Sequence, residues 1–366
     1  MKSLLKFRDQ SLFDDIYKNR RVLVSGHTGF KGSWLCKWLN NLGAEVYGYS
    51  LLPNTEPNHF DLSNPSVNSC INNIIDFNSV KKFVTKSEPE IIFHLAAQPS
   101  VLKSYEEPIE TFNTNIIGTS NFLEVARYTP SVKAIIIITT DKCYKNKEWV
   151  YGYRENDELG GHDPYSASKA CAELVTESFR KSFTNKKNNK LLIASARAGN
   201  VLGGGDWTND RIFKDIAIAI SKNKKLSLRN PNSVRPWQHV LEPLSGYLLL
   251  GQLLFQDKKE YAKPWNFGPS LSSNITVREL VDIVKNKWKH IEVEYESPKN
   301  EETKHLILDS SKAYNKLKWK PVWGIDSTIN YTIDWYKNYY EKNIVKTEEQ
   351  INKFTQEAVK NKTIWT

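Results

Sequence analysis

Two side chains four residues apart give the first sign of proton-transfer chemistry. Tyr165 and Lys169 follow Asp163 and Pro164, residue types that suit the N-cap and the first position of a helix. On that helix the phenol and the ammonium share one face. Both the ammonium and the helix N-terminus favour the phenolate, so we expect a lowered tyrosine pKa. Such a tyrosine can take a proton from a hydroxyl group while hydride leaves the same carbon; the alternative is an exposed pair that only stabilises the turn.

Polar residues also follow a stretch of branched apolar side chains. Residues 134–139 read AIIIIT, which predicts a buried strand, and Thr140, Asp141 and Lys142 come directly after Thr139. Ligands of open α/β sheets bind beyond the carboxyl ends of the strands. We therefore expect the Thr140 hydroxyl to reach the oxygen on which Tyr165 acts.

A glycine run predicts a phosphate-binding loop. Gly26, Gly29 and Gly32 form a G-x-x-G-x-x-G pattern directly after a predicted strand, Arg21–Ser25, and at the start of a predicted helix. Glycines at these positions allow a tight turn and a close approach of backbone N–H groups to a pyrophosphate. With these flanks, the run favours dinucleotide binding over a merely structural turn.

The ribose end of that predicted site is unusual. Where an acidic residue is expected at the end of the second strand, the sequence reads YGYSL over residues 47–51, and no arginine stands there to receive a 2′-phosphate. Lys31 could receive such a phosphate, or it could be a surface residue. We therefore favour NAD as the cofactor and keep NADP as the alternative.

The elements needed to position these residues alternate along the first half of the chain. Apolar runs predict buried strands, and amphipathic segments between them predict helices, including one with Asp76 as its N-cap and one over 115–127. The predicted strands are Arg21–Ser25, Glu45–Ser50, 90–95, 134–139 and 191–197. This order predicts an α/β fold with a doubly wound parallel (Rossmann) sheet.

Beyond about residue 200, glycines and prolines mark long loops between short elements, which indicates a smaller lobe closing over a ligand. We expect residues 1–195 to form mainly the dinucleotide-binding domain. Residues 196–345 are expected to form mainly a smaller α/β substrate-binding lobe interleaved with it, and residues 346–366 a C-terminal tail.

The composition is that of a globular protein: 366 residues, 40% hydrophobic and 25% charged. The net charge of +10 has two interpretations, a lysine-rich solvated surface or attraction of an anionic partner. We favour the first and expect no nucleic-acid partner, because the charge is diffuse and lacks a basic stripe with interleaved aromatic residues.

Targeting and metal signals are also weak. The four cysteines form neither a C-x-x-C pair nor a metal-binding spacing with histidine, which favours reduced thiols and no metal site. Residues 1–8 lack an apolar segment of signal-peptide length, and the longest apolar run, Ala134–Ile138, is too short to cross a membrane. We therefore expect a cytoplasmic protein without membrane contact.

Together these motifs resemble the extended short-chain dehydrogenase/reductase family. The resemblance rests on the glycine run, HLAAQ at 94–98, Thr140 and the Y-x-x-x-K pair. More narrowly, the chain is similar to the CDP-glucose 4,6-dehydratases of that family from about residue 15 to about residue 340. The matching segments are GHTGFKGSW, HLAAQP, TDKCY, RAGNVLGGGDW, RPWQHVLEPLSGYL and WNFGP.

The resemblance implies a reaction and roles for its residues. CDP-glucose would become CDP-4-keto-6-deoxyglucose and water by internal hydride transfer through bound NAD, in deoxysugar and lipopolysaccharide O-antigen biosynthesis. Asp141 matches the acid that protonates the C6 hydroxyl, and Lys142 stands where related dehydratases carry a glutamate base. Lys142 could instead orient the nicotinamide or hold a carboxylate. Asp141 could be only the partner of Lys142 or Lys169 in an ion pair.

The resemblance also implies ligand contacts. For NAD, the further contacts are Thr28, Phe30, Asn73 (where the family often has aspartate), Ile74, Leu95, Ala96, Ala97, Tyr165 and Lys169. For the nucleotide sugar, they are Gln98, Ser100, Asn200, Arg211, Arg235 and His239. Asn115 is implied beside both ligands. His94, by contrast, is interpreted as a core histidine.

The remaining alternatives differ in chemistry. Another nucleotide-sugar 4,6-dehydratase or a 4-epimerase would share the fold, but an epimerase needs no acid at Asp141. A non-catalytic dinucleotide sensor typically loses the tyrosine or the lysine, and both are present here. The family implies a homodimer built on two helices from each subunit.

Overall fold

The computed structural model describes residues 11–184, 190–228, 230–270, 273–288, 291–295 and 306–366. Residues 1–8, for which the sequence predicts no signal peptide, lie outside these ranges. Within the described ranges, the model has no helix that is both long enough and apolar enough to span a bilayer.

The strands follow one another along the chain with helices between most of them. They are β1 Arg21–Ser25, β2 Glu45–Ser50, β3 Asn68–Ile71, β4 Ile91–His94, β5 Ala134–Ile138, β6 Leu192–Arg197, β7 Val201–Leu202, β8 Leu226–Leu228, β9 Val234–Pro236, β10 Gln238–His239, β11 Pro264–Asn266, β12 Asn274–Thr276 and β13 Val293–Tyr295.

The helices include both long covering helices and short connecting ones. They are α1 Phe30–Asn41, α2 His59–Ser63, α3 Phe77–Ser87, α4 Val101–Glu106, α5 Pro108–Phe112, α6 Gly118–Tyr128, α7 Pro164–Phe183, α8 Ile212–Ser221, α9 Leu241–Phe255, α10 Val277–Lys287, α11 Ile325–Lys342 and α12 Thr347–Lys360. A π-helical turn, Asn113–Ile117, joins α5 to α6.

The main sheet has seven strands in the order β11-β6-β5-β4-β1-β2-β3, and each neighbouring pair is parallel. All residues of β4, β5 and β6 are buried, as expected for strands covered on both faces. The strand order reverses between β1 and β4, and ligands of such sheets bind at the carboxyl ends beside this switch point. The predicted doubly wound α/β fold is confirmed.

Two hydrophobic layers cover the sheet. On one face, Val80 of α3 and Phe122 of α6 pack against β1 and β5, and on the other, Trp34 of α1 and Leu248 of α9 join the larger core. α9 and β11 come from the second half of the chain. β11 is an edge strand of the main sheet, and α9 packs on one face of that sheet. The two parts of the chain are thus interleaved, and the boundaries at 195 and 345 stay predictions.

The last twenty residues fold against the first helix. Phe354 of α12 packs edge-on against Trp38 of α1 with ring centroids 5.6 Å apart, and Trp365 stacks on Phe13 at 5.0 Å. The Phe13 amide also donates to the Trp365 carbonyl at 2.8 Å. The predicted tail is therefore part of the hydrophobic core.

Candidate active site

The predicted proton-transfer residues meet at the carboxyl end of β5. Asp163 caps α7 by accepting the Ser166 amide at 2.8 Å, and Pro164 is the first helical residue, as predicted. This start places Tyr165 and Lys169 against the end of β5, where the Lys169 ammonium donates to the Ile138 carbonyl at 3.4 Å.

Thr140 organises the turn that follows β5. Its hydroxyl donates to Asp141 Oδ1 at 2.9 Å and accepts the Lys142 amide at 3.3 Å, so it caps the short 3₁₀ helix Asp141–Cys143. Tyr165 lies near enough to Thr140 and Asp141 for both groups to act on the pKa of its phenol. The structure thus brings Thr140, Asp141 and Tyr165 together, and the Asp141 carboxyl is not held in an ion pair within 4 Å by any of the described lysines.

The Asp141 carboxyl is enclosed. A Cβ added to Gly199, after β6, would lie 2.8 Å from Asp141 Oδ2, so the backbone there covers the carboxyl and leaves no room for a side chain. Burial raises the pKa of Asp141, although Lys142, the Thr140 hydrogen bond and Lys31 work in the opposite direction. The direction of this shift is the one that a proton-donating carboxyl requires.

The expectation of a lowered Tyr165 pKa is wrong for the protein without ligands. Burial raises the pKa of Tyr165 to about 12, against the opposing effect of the Thr140 hydroxyl. The cost of removing the phenolate from water is larger than the stabilisation that the helix N-terminus gives it. The Lys169 ammonium does not offset this cost, because it is directed to the Ile138 carbonyl.

Two lysines near the end of β5, Lys169 and Lys31, have lowered pKa values. Burial lowers the pKa of Lys169 to about 8, with a further contribution from Lys31. Burial also lowers the pKa of Lys31 to about 8, and Asp141 opposes that shift. Lys31 is half-buried, and the charges of Asp141, Asp206 and Arg211 act on it, so it lies beside the cleft. Its contact with a cofactor phosphate stays a prediction.

The glycine loop has the shape of a dinucleotide cradle. Gly26 has a φ of +76°, and a Cβ there would lie 2.8 Å from the Ala96 amide nitrogen. A Cβ on Gly32 would lie 2.0 Å from the Gly26 carbonyl oxygen, so α1 starts directly on the loop backbone. Gly29, the N-cap of α1, is exposed, which leaves the first-turn N–H groups facing out of the fold.

A family model described as GDP-mannose 4,6 dehydratase matches residues 23–332. That span contains the glycine loop, the Thr140 turn and α7. The chain belongs to this family.

Relatives with known names are similar over most of the chain. The CDP-glucose 4,6-dehydratase of Salmonella typhimurium is 46% identical, over 88% of this chain and 92% of the relative. GDP-mannose 4,6 dehydratase 1 of Arabidopsis thaliana is 26% identical, over 87% of this chain and 91% of the relative. The predicted resemblance to nucleotide-sugar dehydratases is confirmed.

Solved structures share the fold. The dTDP-glucose 4,6-dehydratase of Streptomyces venezuelae, solved with NAD and TYD bound, has a TM-score of 0.75 at 21% identity, covering 87% of this chain and 97% of that one. The UDP-glucose 4-epimerase of Thermotoga maritima, solved with UDP-glucose, also has a TM-score of 0.75, at 23% identity, over 87% of this chain and 99% of that one. At these identities the likeness establishes the Rossmann-type fold.

In this member of the GDP-mannose 4,6-dehydratase family, two predicted ligand contacts are hydrogen-bonded inside the protein. The Asn115 amide nitrogen donates to the Gln98 carbonyl at 3.1 Å and to Ser168 Oγ at 2.8 Å, while its oxygen accepts the Gln98 amide at 2.8 Å. The Gln98 side chain donates to Ser100 and Thr111 and accepts the Ser100 amide at 2.6 Å. Both side chains tie the loop after β4 to α7, and their contacts with ligands stay predictions.

The predicted substrate contact of His239 is corrected. His239 has no exposed surface, and its ring packs edge-to-face with Trp34 at 5.7 Å and Trp323 at 4.8 Å. Its Nδ1 accepts the Leu241 amide at 3.3 Å. Because indoles cover the ring, His239 is a core residue. His94 is one too, as predicted, since its ring nitrogens pair with Ser25 at 2.8 Å and Thr119 at 3.2 Å.

The other predicted contacts lie in two groups. Ile74 is buried beneath Gly118, and Asn73 Oδ1 accepts the Ile75 amide at 3.0 Å, which leaves the Asn73 amide nitrogen as its donor. Leu95, Ala96 and Ala97 run half-buried from the end of β4 past the glycine loop. Thr28 is buried beside the glycine loop, where its hydroxyl donates to the Leu51 carbonyl at 2.8 Å. The remaining residues, all half-buried, are Phe30, Ser100, Asn200, Arg211 and Arg235.

A buried charge network lies below the site, and none of the sequence motifs predicts it. Glu173, one turn after Lys169 on α7, accepts from Thr139 at 2.5 Å and Ser195 at 2.7 Å and pairs with Arg197 at 2.8 Å. Glu173 and Arg197 are each 3% exposed. Burial acts to raise the pKa of Glu173, but Arg197 and the hydrogen bonds outweigh it and lower that pKa. The network fixes the end of β5 against α7.

Replacing Glu173 with glutamine should destabilise the fold by about 3–5 kcal/mol, because the Arg197 guanidinium would stay buried without its counter-charge. The urea midpoint of unfolding measures this effect. Glu177→Gln is the matched control, since Glu177 lies one turn further on the same helix and pairs with Lys181 at the surface. Equal small shifts for both variants would contradict a structural role for the network.

Proposed function

We propose that this protein catalyses the 4,6-dehydration of CDP-glucose with bound NAD, giving CDP-4-keto-6-deoxyglucose and water. One observation carries the reaction class: a buried carboxyl, Asp141, accepts the Thr140 hydroxyl at 2.9 Å and lies near Tyr165. A hydroxyl-activating tyrosine needs no such acid for oxidation alone. The choice of CDP rests on the 46% identity to the CDP-glucose 4,6-dehydratase of Salmonella typhimurium.

The residues present fit a dinucleotide. The exposed start of α1 at Gly29 and Phe30 would hold the pyrophosphate, and Lys169 would hold the nicotinamide ribose. Leu95, Ala96 and Ala97 would flank the dinucleotide where they pass the loop. NAD in this position supplies a hydride acceptor that later returns the hydride, so that no net oxidation results.

Tyr165 and Thr140 would act first on the sugar. Tyr165 would take the C4 hydroxyl proton, and the Thr140 hydroxyl would hold the same oxygen by a hydrogen bond. Lys169 acts through its positive charge, which favours the phenolate once a bound ligand draws the ammonium towards the cleft.

Asp141 and Lys142 would carry out the elimination. Asp141, whose pKa burial raises, would donate a proton to the departing C6 oxygen. Lys142 would remove the C5 proton, which a C4 ketone makes acidic. Its half-buried side chain follows Asp141 on the same turn, so one short segment would present both the acid and the base.

Lys142→Met should stop the reaction after C4 oxidation, because the base is lost while Tyr165 and Asp141 stay in place. In deuterated water, this variant should no longer exchange the C5 hydrogen, and product should fall by about 10²-fold or more. Asp141→Asn should still exchange C5, since only the acid is lost. Proton NMR of the sugar separates the two; unchanged C5 exchange in Lys142→Met would remove Lys142 from the base role.

The nucleotide preference is tested with a substrate panel. Purified protein with NAD is offered CDP-, UDP-, GDP- and TDP-linked substrates, and loss of one water is followed by mass spectrometry. We expect CDP-glucose to react fastest. If another nucleotide sugar reacts and CDP-glucose does not, the dehydratase assignment stands and the CDP assignment is wrong.

We also propose a homodimer built on the helices beside α7, in the cytoplasm. Apolar side chains exposed there are Leu102, Tyr105, Ile109, Ile117 and Leu174. Burying them in a second copy would remove this apolar patch from water. Ile109→Lys combined with Ile117→Lys should give a monomer in sedimentation velocity, whereas Val150→Lys, in an exposed loop, should leave the dimer intact. A wild-type monomer would contradict the proposal.

A further inference from the structure

The C-terminal helix α12 lies outside the span matched by the family model, which ends at residue 332. It nevertheless reaches the start of α1. Thr347, its first residue, is 1% exposed, and its hydroxyl lies 2.8 Å from His59 Nε2. The other ring nitrogen of His59 lies 2.7 Å from Ser33 Oγ, in the first turn of α1.

The hydrogen bonds along this path have a defined direction. Ser33 donates its only hydroxyl proton to the Phe30 carbonyl at 2.9 Å, so Ser33 Oγ accepts from His59 Nδ1. Because burial lowers the pKa of His59 to about 3, the ring is neutral and its Nε2 accepts from Thr347. Thr347 in turn accepts the Trp335 indole N–H at 3.0 Å.

This relay therefore runs from Trp335 through Thr347, His59 and Ser33 to the Phe30 carbonyl. Each donor in the relay has an acceptor, and the His59 tautomer is fixed by it. Its last acceptor belongs to the residue after Gly29, at the place where the first-turn N–H groups of α1 face out of the fold.

Packing holds His59 in that position. Its ring stacks on the Trp34 indole of α1 at 4.9 Å with an interplanar angle of 7°. Gly205, with a φ of +86°, passes so close that a Cβ there would lie 2.5 Å from the ring. The His59 imidazole thus contacts α1, Gly205 and α12. A shift of α12 would therefore move the imidazole and, through it, the start of α1 at the cofactor-binding loop.

We propose that α12 positions the cofactor-binding loop through the Thr347–His59–Ser33 relay and thereby sets the affinity for NAD. His59 and Thr347 are positioning residues in this account, which rests on NAD binding at the glycine loop. Residues beyond the family model would then contribute to cofactor affinity without touching the cofactor.

Thr347→Val keeps the shape of the side chain and removes the relay hydroxyl. We expect the Kd for NAD, measured by titration calorimetry on the unliganded protein, to rise about three- to tenfold, the range for one lost buried hydrogen bond. The kcat at saturating NAD should change less than twofold, and Thr347→Ser should restore the wild-type Kd. Hydrogen exchange of the amides at 29–33 should quicken in Thr347→Val.

Thr332→Val is the matched control. Thr332 is a buried threonine of α11 whose hydroxyl bonds the Thr328 carbonyl at 2.7 Å, within its own helix. The Thr332→Val variant should lower the midpoint temperature of unfolding without changing the Kd for NAD. If Thr347→Val also lowers only the midpoint, α12 has no positioning role and the proposal is overturned.

Two further outcomes keep the tests separate. If Thr347→Val does not fold, hydrogen exchange on the wild-type protein decides: NAD should protect the first turn of α12 as well as the loop, and protection of the loop alone would overturn the proposal. If the wild-type protein binds no NAD, the proposed function is wrong, whereas wild-type binding with an unchanged variant rejects the relay alone.

Discussion

Tyr165→Phe should lower the rate of CDP-4-keto-6-deoxyglucose formation by about 10²–10⁴-fold, the usual contribution of a general base. The phenylalanine ring fills the same space at the start of α7, so the fold and the binding of NAD should persist. Only the group that takes the C4 hydroxyl proton is lost. Single-turnover kinetics, followed as cofactor reduction, measures the step directly.

Tyr151→Phe is the control for that substitution. Tyr151 is 69% exposed in the loop before α7 and should tolerate the loss of its hydroxyl. A Tyr165→Phe variant that oxidises the sugar at more than about a tenth of the wild-type rate would show that another group takes the proton.

Acid should unfold this protein at unusually mild pH, because it buries neutral histidines. Burial lowers the pKa of His27 to about 4 and of His59, His94 and His239 to about 3. A histidine whose folded pKa lies below its unfolded value of about 6.5 stabilises the fold above that pH, and this contribution is lost as pH falls.

Three carboxyls act in the opposite direction. Burial raises the pKa of Glu242 to about 8 and also raises the pKa values of Asp141 and Glu155, so all three stabilise the fold as pH falls. The four histidines and Glu242 together give a net loss of about 3 kcal/mol between pH 7 and 5.5, which Asp141 and Glu155 make smaller. We therefore expect the free energy of unfolding to decrease as pH falls through this range.

Thermal unfolding between pH 7.5 and 4.5 tests this expectation. The midpoint should fall steeply below pH 6.5, and unfolding at pH 5.5 should take up protons, which calorimetry in buffers of different ionisation enthalpy counts. The exposed His162 provides the control, since His162→Asn should not alter the slope. A midpoint that stays level to pH 5 would mean that these histidines titrate normally in the folded protein.

Strong local signals in the sequence predicted the frame of the site. The strands at Arg21–Ser25 and Glu45–Ser50 have the predicted bounds, and the first of them ends at Gly26, whose φ is +76°. Asp76 and Asp163 cap α3 and α7 as predicted, since an aspartate before an amphipathic run has few other uses. In these elements the local pattern and the tertiary contacts favour the same structure.

What the sequence did not predict depends on long-range contacts. β3, Asn68–Ile71, has mostly exposed residues and no apolar run, and it is a strand because β2 offers it a free edge. His239 and Asn115 are polar residues in matching segments, yet their partners lie far away in sequence. The family resemblance implied ligand contacts for both residues, and only the folded structure shows that their side chains also hold distant segments together.

The most direct test of the central claim is a proton NMR time course with NAD and CDP-glucose carrying deuterium at C4. The account predicts a new C6 methyl group that contains the deuterium, with no reduced cofactor accumulating, because the hydride leaves C4 and returns to C6 of the same sugar. An intact sugar, or a product inverted at C4 without a methyl group, would contradict 4,6-dehydration.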